Sequence, residues 1–102
     1  MTESNATEIT YARRGAMGTL TMRGALDIFE AERLCAVATR ALQDIKATTV
    51  QLNCSAVDRL DISTLQVLLA LKRDLQFAGR TPVVVGLAAP VESMLERLGI
   101  SL

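Results

Sequence analysis

VQLNCSAVDRLDISTLQVLLALKR, residues Val50–Arg73, holds two hydrophobic periods side by side. Val50 and Leu52 alternate with Gln51 and Asn53, so Thr49–Asn53 reads as a short β-strand. From about Ser63 the apolar residues recur every three to four positions, as in a helix that runs until Gly79, a residue suited to the position just past a helix end. CSAVDRL, Cys54–Leu60, follows neither period and reads as the loop between them. A strand feeding a helix in this way points to an α/β domain.

Working outward, Ile9 and Tyr11 alternate with polar neighbours, as do Leu20 and Met22 within Met17–Arg23. With RRG, Arg13–Gly15, as the turn, they should form an antiparallel hairpin, preceded by a frayed Met1–Thr7. Ala31, Leu34, Cys35, Ala38, Leu42 and Ile45 have helical spacing, and Asp27 with Glu30 gives a capping-box-like start. PVVVG, Pro82–Gly86, is apolar enough for a central or well-covered strand. Pro90, then Val91, Met94, Leu95 and Leu98, then Gly99 make a last short helix. The order is β-β-α-β-α-β-α, and right-handed crossovers place the helices on one face of a small mixed sheet. Residues 1–102 are expected to form a single domain.

Half of the 102 residues are hydrophobic and only three are aromatic, so the core must be aliphatic. Eleven basic and eleven acidic residues cancel, and neither sign clusters along the chain, which gives no footprint for nucleic acid or an anionic membrane. The longest apolar run, Val67–Leu71, is far short of the ~20 residues of a transmembrane helix, and MTESNATE lacks the pattern of a secretory signal; a cytoplasmic location is expected. Cys35 and Cys54 read as two buried free thiols.

Without histidine the commonest general base is missing, and neither a catalytic triad nor a mixed metal site can be assembled. Asp58 and Asp61 are too few carboxylates for a calcium cage, and GALDIF, Gly24–Phe29, lacks the spacing of a phosphate-binding loop, so no metal and no cofactor are expected. The long helix carries two apolar stripes. Thr64, Leu68, Leu71, Leu75 and Ala78 form the natural core face. Ile62, Leu65 and Leu69 form a second, to be covered by a neighbouring helix or by a partner protein. Ser63 with Gln66 reads as the capping box of this helix, and the same Ser63, in the first turn, is a candidate for phosphorylation.

This succession of elements, GALD after the second strand, VQLNCSAVDRLDISTLQVLLALKR and the closing AAPVESMLERLGI together resemble the STAS domain of bacterial anti-sigma factor antagonists, from about Ile9 to Ile100. The resemblance implies a non-enzymatic regulatory module. In the antagonists a kinase that is also an anti-sigma factor docks at the start of the second helix and phosphorylates a Ser or Thr there; the unphosphorylated form captures that partner. The family motif is commonly Asp, the hydroxyl acceptor, a small residue and Leu. Aligned on Asp61 and Leu65, the acceptor position is Ile62, with Ser63 and then Thr64 as the neighbouring hydroxyls. Either one of these, Ser63 before Thr64, has taken over the role, or the covalent switch is lost and the binding surface kept. Loss is favoured, because one residue turns a helical side chain by ~100°. The expected partner-binding set is Asp58, Arg59, Asp61, Ile62, Ser63, Gln66 and Leu69. Partners implied by the resemblance are an anti-sigma or kinase-like protein, the ATPase of a lipid-transport ABC system, another stress or chemotaxis signalling protein, or a second copy of the chain. A small-molecule or nucleotide pocket around Asp27 and Asp61 is the remaining alternative.

Overall fold

In the computed structural model, which describes residues 7–102, β1 (Glu8–Arg14) and β2 (Met17–Leu26) form the expected antiparallel hairpin, with Arg14 opposite Met17. The frayed segment expected over Met1–Thr7 lies, except for Thr7, outside the described residues. The turn is Gly15–Ala16 and not Arg13–Gly15, since both arginines continue β1, and Gly15 has the φ of 61° that a two-residue hairpin loop requires at its first position. A 3-10 turn (Ile28–Glu30) then leads into α1 (Ala31–Gln43), followed by β3 (Thr49–Leu60), α2 (Ile62–Phe77), β4 (Thr81–Val85) and α3 (Ala89–Leu98).

The strands lie in the order β1-β2-β3-β4, with β2, β3 and β4 parallel. Both parallel crossovers step in the same direction across the sheet, so right-handedness places α1 and α2 on the same face, packed against each other. Leu20, Met22, Val50 and Leu52 point to that face and are fully buried with Leu34, Ala41, Leu68 and Leu75. Thr19, Thr21, Gln51 and Asn53 alternate with them on the outer face. No helix among the described residues is long and apolar enough to cross a membrane.

Several expectations are corrected. Cys54–Leu60 is the second half of β3 and not a loop. Its pairing with β2 shifts twice, between Thr21 and Arg23 and between Gly24 and Ala25, and each shift adds an unpaired residue to β3. Buried positions therefore pass from Val50, Leu52 and Cys54, two apart, to Val57 and Leu60, three apart, which hides the strand from a search for alternation. β4 is an edge strand, half-buried, because among the described residues no further strand pairs with it. Its register with β3 ends at Asn53 opposite Val85, and α3 packs against β3 through its buried Val91 and Leu95.

In α1 the core positions are Leu34, Val37, Ala38 and Ala41. Cys35 is exposed, one position round from Leu34 and facing the groove beside α2, and Ile45 is exposed beyond the helix end. Only Cys54 is a buried thiol, and burial pushes its pKa up to about 11. Asp27 caps the 3-10 turn by accepting from Phe29 N at 3.0 Å, while Glu30 pairs with Arg33 at 3.0 Å, so the two do not form a capping box. In α2, Leu65 belongs to the core and Ala78 does not.

Candidate functional site

β2 and β3 end side by side at the paired residues Leu26 and Leu60, and the chain turns from Leu60 directly into α2. Asp61 is the N-cap, two residues earlier than the Ser63 expected from sequence, and forms a capping box with Thr64. The Asp61 carboxylate accepts from Ser63 N at 3.0 Å and from Ser63 Oγ at 2.7 Å. These bonds, the backbone one first, hold its pKa below the ordinary carboxylate value. Thr64 is fully buried. Its Oγ1 lies 2.8 Å from Leu26 O and 2.9 Å from Asp61 O, and accepts from Asp61 N at 3.1 Å. Asp61 N also reaches Leu26 O at 2.9 Å, so the helix start is tied to the end of β2 across the sheet.

This framework aims the other side chains. Ile62, in the first position of the helix, is 48% exposed. Ser63 is half-buried and, with Gln66, Cys35 and Thr39, lines a groove of about 290 Å³ between α1 and α2. Leu69 is half-buried against the core, and Asp58 and Arg59 are exposed on the shifted end of β3. Of the partner-binding residues expected from sequence, Asp58, Arg59, Asp61, Ile62 and Ser63 gather at the start of α2, whereas Gln66 lies further along the groove and Leu69 sits at the middle of the helix, packed against the core and not lining that groove. Asp27 and Asp61 follow neighbouring strand ends, yet the groove at this end is lined by neither.

Sequence reasoning missed Ile28 and Phe29. They are 60% and 86% exposed in the 3-10 turn, which packs against α2, and with Ile62 they make an apolar surface on one end of the fold. Their signal was two large apolar residues after a strand had ended and before the helical period began. Asp27, Asp58 and Asp61 border this surface without an ion-pair partner among the described residues. No three side chains of the metal-ligating types come together among the described residues.

The family profile described as "Mlab, STAS domain" matches residues 9–101. Among solved structures, an anti-sigma factor antagonist from Mycobacterium paratuberculosis superposes with a TM-score of 0.81 at 16% identity, over 97% of this chain and 83% of that one. The phosphorylated form of the Bacillus cell fate determinant SpoIIAA gives 0.71 at 17% identity, over 93% and 85%. A putative anti-sigma factor antagonist from Thermotoga maritima gives 0.77 at 18% identity, over 89% and 78%. At these identities the likeness is one of fold. No curated protein sequence matches the chain.

Proposed function

The chain belongs to the STAS domain family, and from that premise we propose that it is a regulatory protein-binding module, not an enzyme, that engages its partner at the start of α2. The observation that carries this reading is the exposed cluster Ile28, Phe29 and Ile62. Water-exposed isoleucines and a phenylalanine on one end of a small domain are the composition of a docking surface. Asp58, Arg59 and Asp61 form its polar rim, and Ser63, Gln66 and Leu69 extend it along α2. The solved relatives described as anti-sigma factor antagonists support a partner of that signalling class.

The contact is read as lasting and not phosphate-controlled. The position that carries the hydroxyl in the family holds Ile62, which favours burial against a partner. Ser63 is turned toward the α1–α2 groove and its hydroxyl is bonded to Asp61, beside which a phosphate would be repelled. A photo-crosslinking residue at position 29, read by mass spectrometry in the native host, should trap one dominant partner. Ile62→Asp should abolish the trapping while leaving the thermal transition in place. Unchanged trapping in that variant sinks the docking site, and a phosphate mapped to Ser63 after incubation with the trapped partner and ATP sinks the loss of the switch.

A further inference from the structure

A net charge of zero conceals a separation of charge that only the fold produces. The β1–β2 turn, the α1–β3 connection and the α2–β4 connection all gather at the end of the sheet opposite the start of α2. Arg14 ends β1 beside the first, Arg40 lies in the last turn of α1 and Lys46 in the second, and Lys72 and Arg73 come from the last two turns of α2. Asp44 and Asp74 are the acids nearby, and each is already paired, with Arg13 at 2.9 Å and with Arg73 at 3.3 Å. Arg14, Arg40, Lys46 and Lys72 have no ion-pair partner among the described residues. These cations are far apart in sequence, which is why the chain shows no basic run.

Cations near helix C-termini have an ordinary explanation in the helix dipole, and it suffices for Arg40 in the last turn of α1. It does not explain the apolar residues beside them. Ile45 is 78% exposed and Phe77 is 85% exposed, and both border one open hollow of about 660 Å³ at this end. We propose that this end docks on an anionic lipid surface, with Phe77 and Ile45 entering the headgroup boundary and Arg14, Arg40 and Lys46 held by the surface charge. The positive charge here is spread and does not converge on one point. Arg80, the guanidinium lining the hollow, commits its donors to four carbonyl oxygens, leaving no charged fork for a single bound phosphate. Diffuse cations around exposed apolar side chains match a lipid surface better than a discrete anionic ligand. A helix of sixteen residues separates this end from the α2 start, about 24 Å, so the docking surface proposed there would face away from the lipid.

The test is co-sedimentation of the full chain with phosphatidylcholine vesicles, with and without phosphatidylglycerol. Binding is expected only to the anionic vesicles and should weaken as salt is raised. Arg14→Glu with Lys46→Glu, and separately Phe77→Ser, should each lower the partition coefficient about tenfold or more, with the thermal transition showing that these exposed changes leave the fold intact. Equal binding to both vesicle types, no binding to either, or variants that bind like the original chain would overturn the proposal. So would tighter binding to duplex DNA than to the vesicles, or self-association through this end seen by sedimentation velocity and abolished by the same variants. Ile62→Asp should leave vesicle binding unchanged, which separates failure here from failure at the partner site.

Discussion

Thr64 and Ser63 are adjacent hydroxyls with opposite work. Thr64 Oγ1 is buried and joins Asp61 to Leu26, so Thr64→Val removes the side-chain half of the capping box and the bond to Leu26 O while keeping the shape. A loss of about 1–2 kcal/mol in urea denaturation is expected. Ser63 Oγ donates only to a carboxylate that keeps the Ser63 N–H in its absence, so Ser63→Ala should change stability by less than about 0.5 kcal/mol. Equal losses in the two variants would mean the roles are misassigned. Asp61 adds a pH signature. Its folded pKa is below its ordinary value of 3.8, so its contribution is full above that value and is lost as pH falls through the folded one. Asp61→Asn should therefore flatten the acid limb of the stability profile below about pH 4, and a profile parallel to that of the original chain would remove Asp61 from the account.

The end of α1 depends on a residue of another element. Arg80, just before β4, is 8% exposed and donates to Ala47 O, Leu42 O, Ala41 O and Asp44 O at 2.7–2.9 Å, satisfying two carbonyls that α1 leaves open in its last turn together with those of its cap and of the connection that follows. Arg80→Met keeps much of the length and removes every donor, and should destabilise by about 3 kcal/mol; Arg80→Lys, a point charge without the fork, should recover only part of that. A loss under about 1 kcal/mol for the methionine variant would show that water replaces the guanidinium there. Nothing in GRTP announced this cap, because its acceptors lie 33 to 39 residues upstream. The same limit governs what else was legible. The hairpin, the helices and their order follow from periods within a few residues, and so does the STAS pattern around Asp61–Leu65. The second half of β3 was hidden because its two register shifts exist only against β2, and Val83 read as central because its apolar neighbours say nothing about whether another strand follows. At the site, Ile62 stood out because it departs from a pattern within one helix turn, whereas Ile28 and Phe29 join it only through the adjacency of the strand ends.

At the scale of the whole molecule, two ends of opposite charge share one core, and both proposed surfaces depend on that core holding the ends in fixed relation. The sheet supplies the continuity: Tyr11, Leu20, Leu52 and Val84 lie in register across all four strands, under α1 and α2. Its two edges, β1 and β4, each pair with one strand only, and β1 is the edge that carries Arg14. What fastens β1 from the helix side is the buried Ile9 together with Tyr11, whose hydroxyl donates to Asp44 Oδ2 at 2.8 Å while Arg13 Nε holds the same carboxylate at 2.9 Å. Gly18 makes room for this, since a Cβ there would fall on the Tyr11 ring. The chain has one tyrosine and no tryptophan, so its intrinsic fluorescence reports the β1 fastening, while far-UV circular dichroism reports mainly the helices. If residues 7–102 are one cooperative unit, the two urea transitions should share a midpoint and an m-value of about 1–3 kcal/mol/M. Gly18→Ala should lower both midpoints together, because a displaced Tyr11 weakens a fastening that belongs to the global unit. If the fluorescence transition instead moves ahead of the dichroism in that variant, β1 unfolds by itself, and the basic end carrying Arg14 is hinged to the core and not fixed to it.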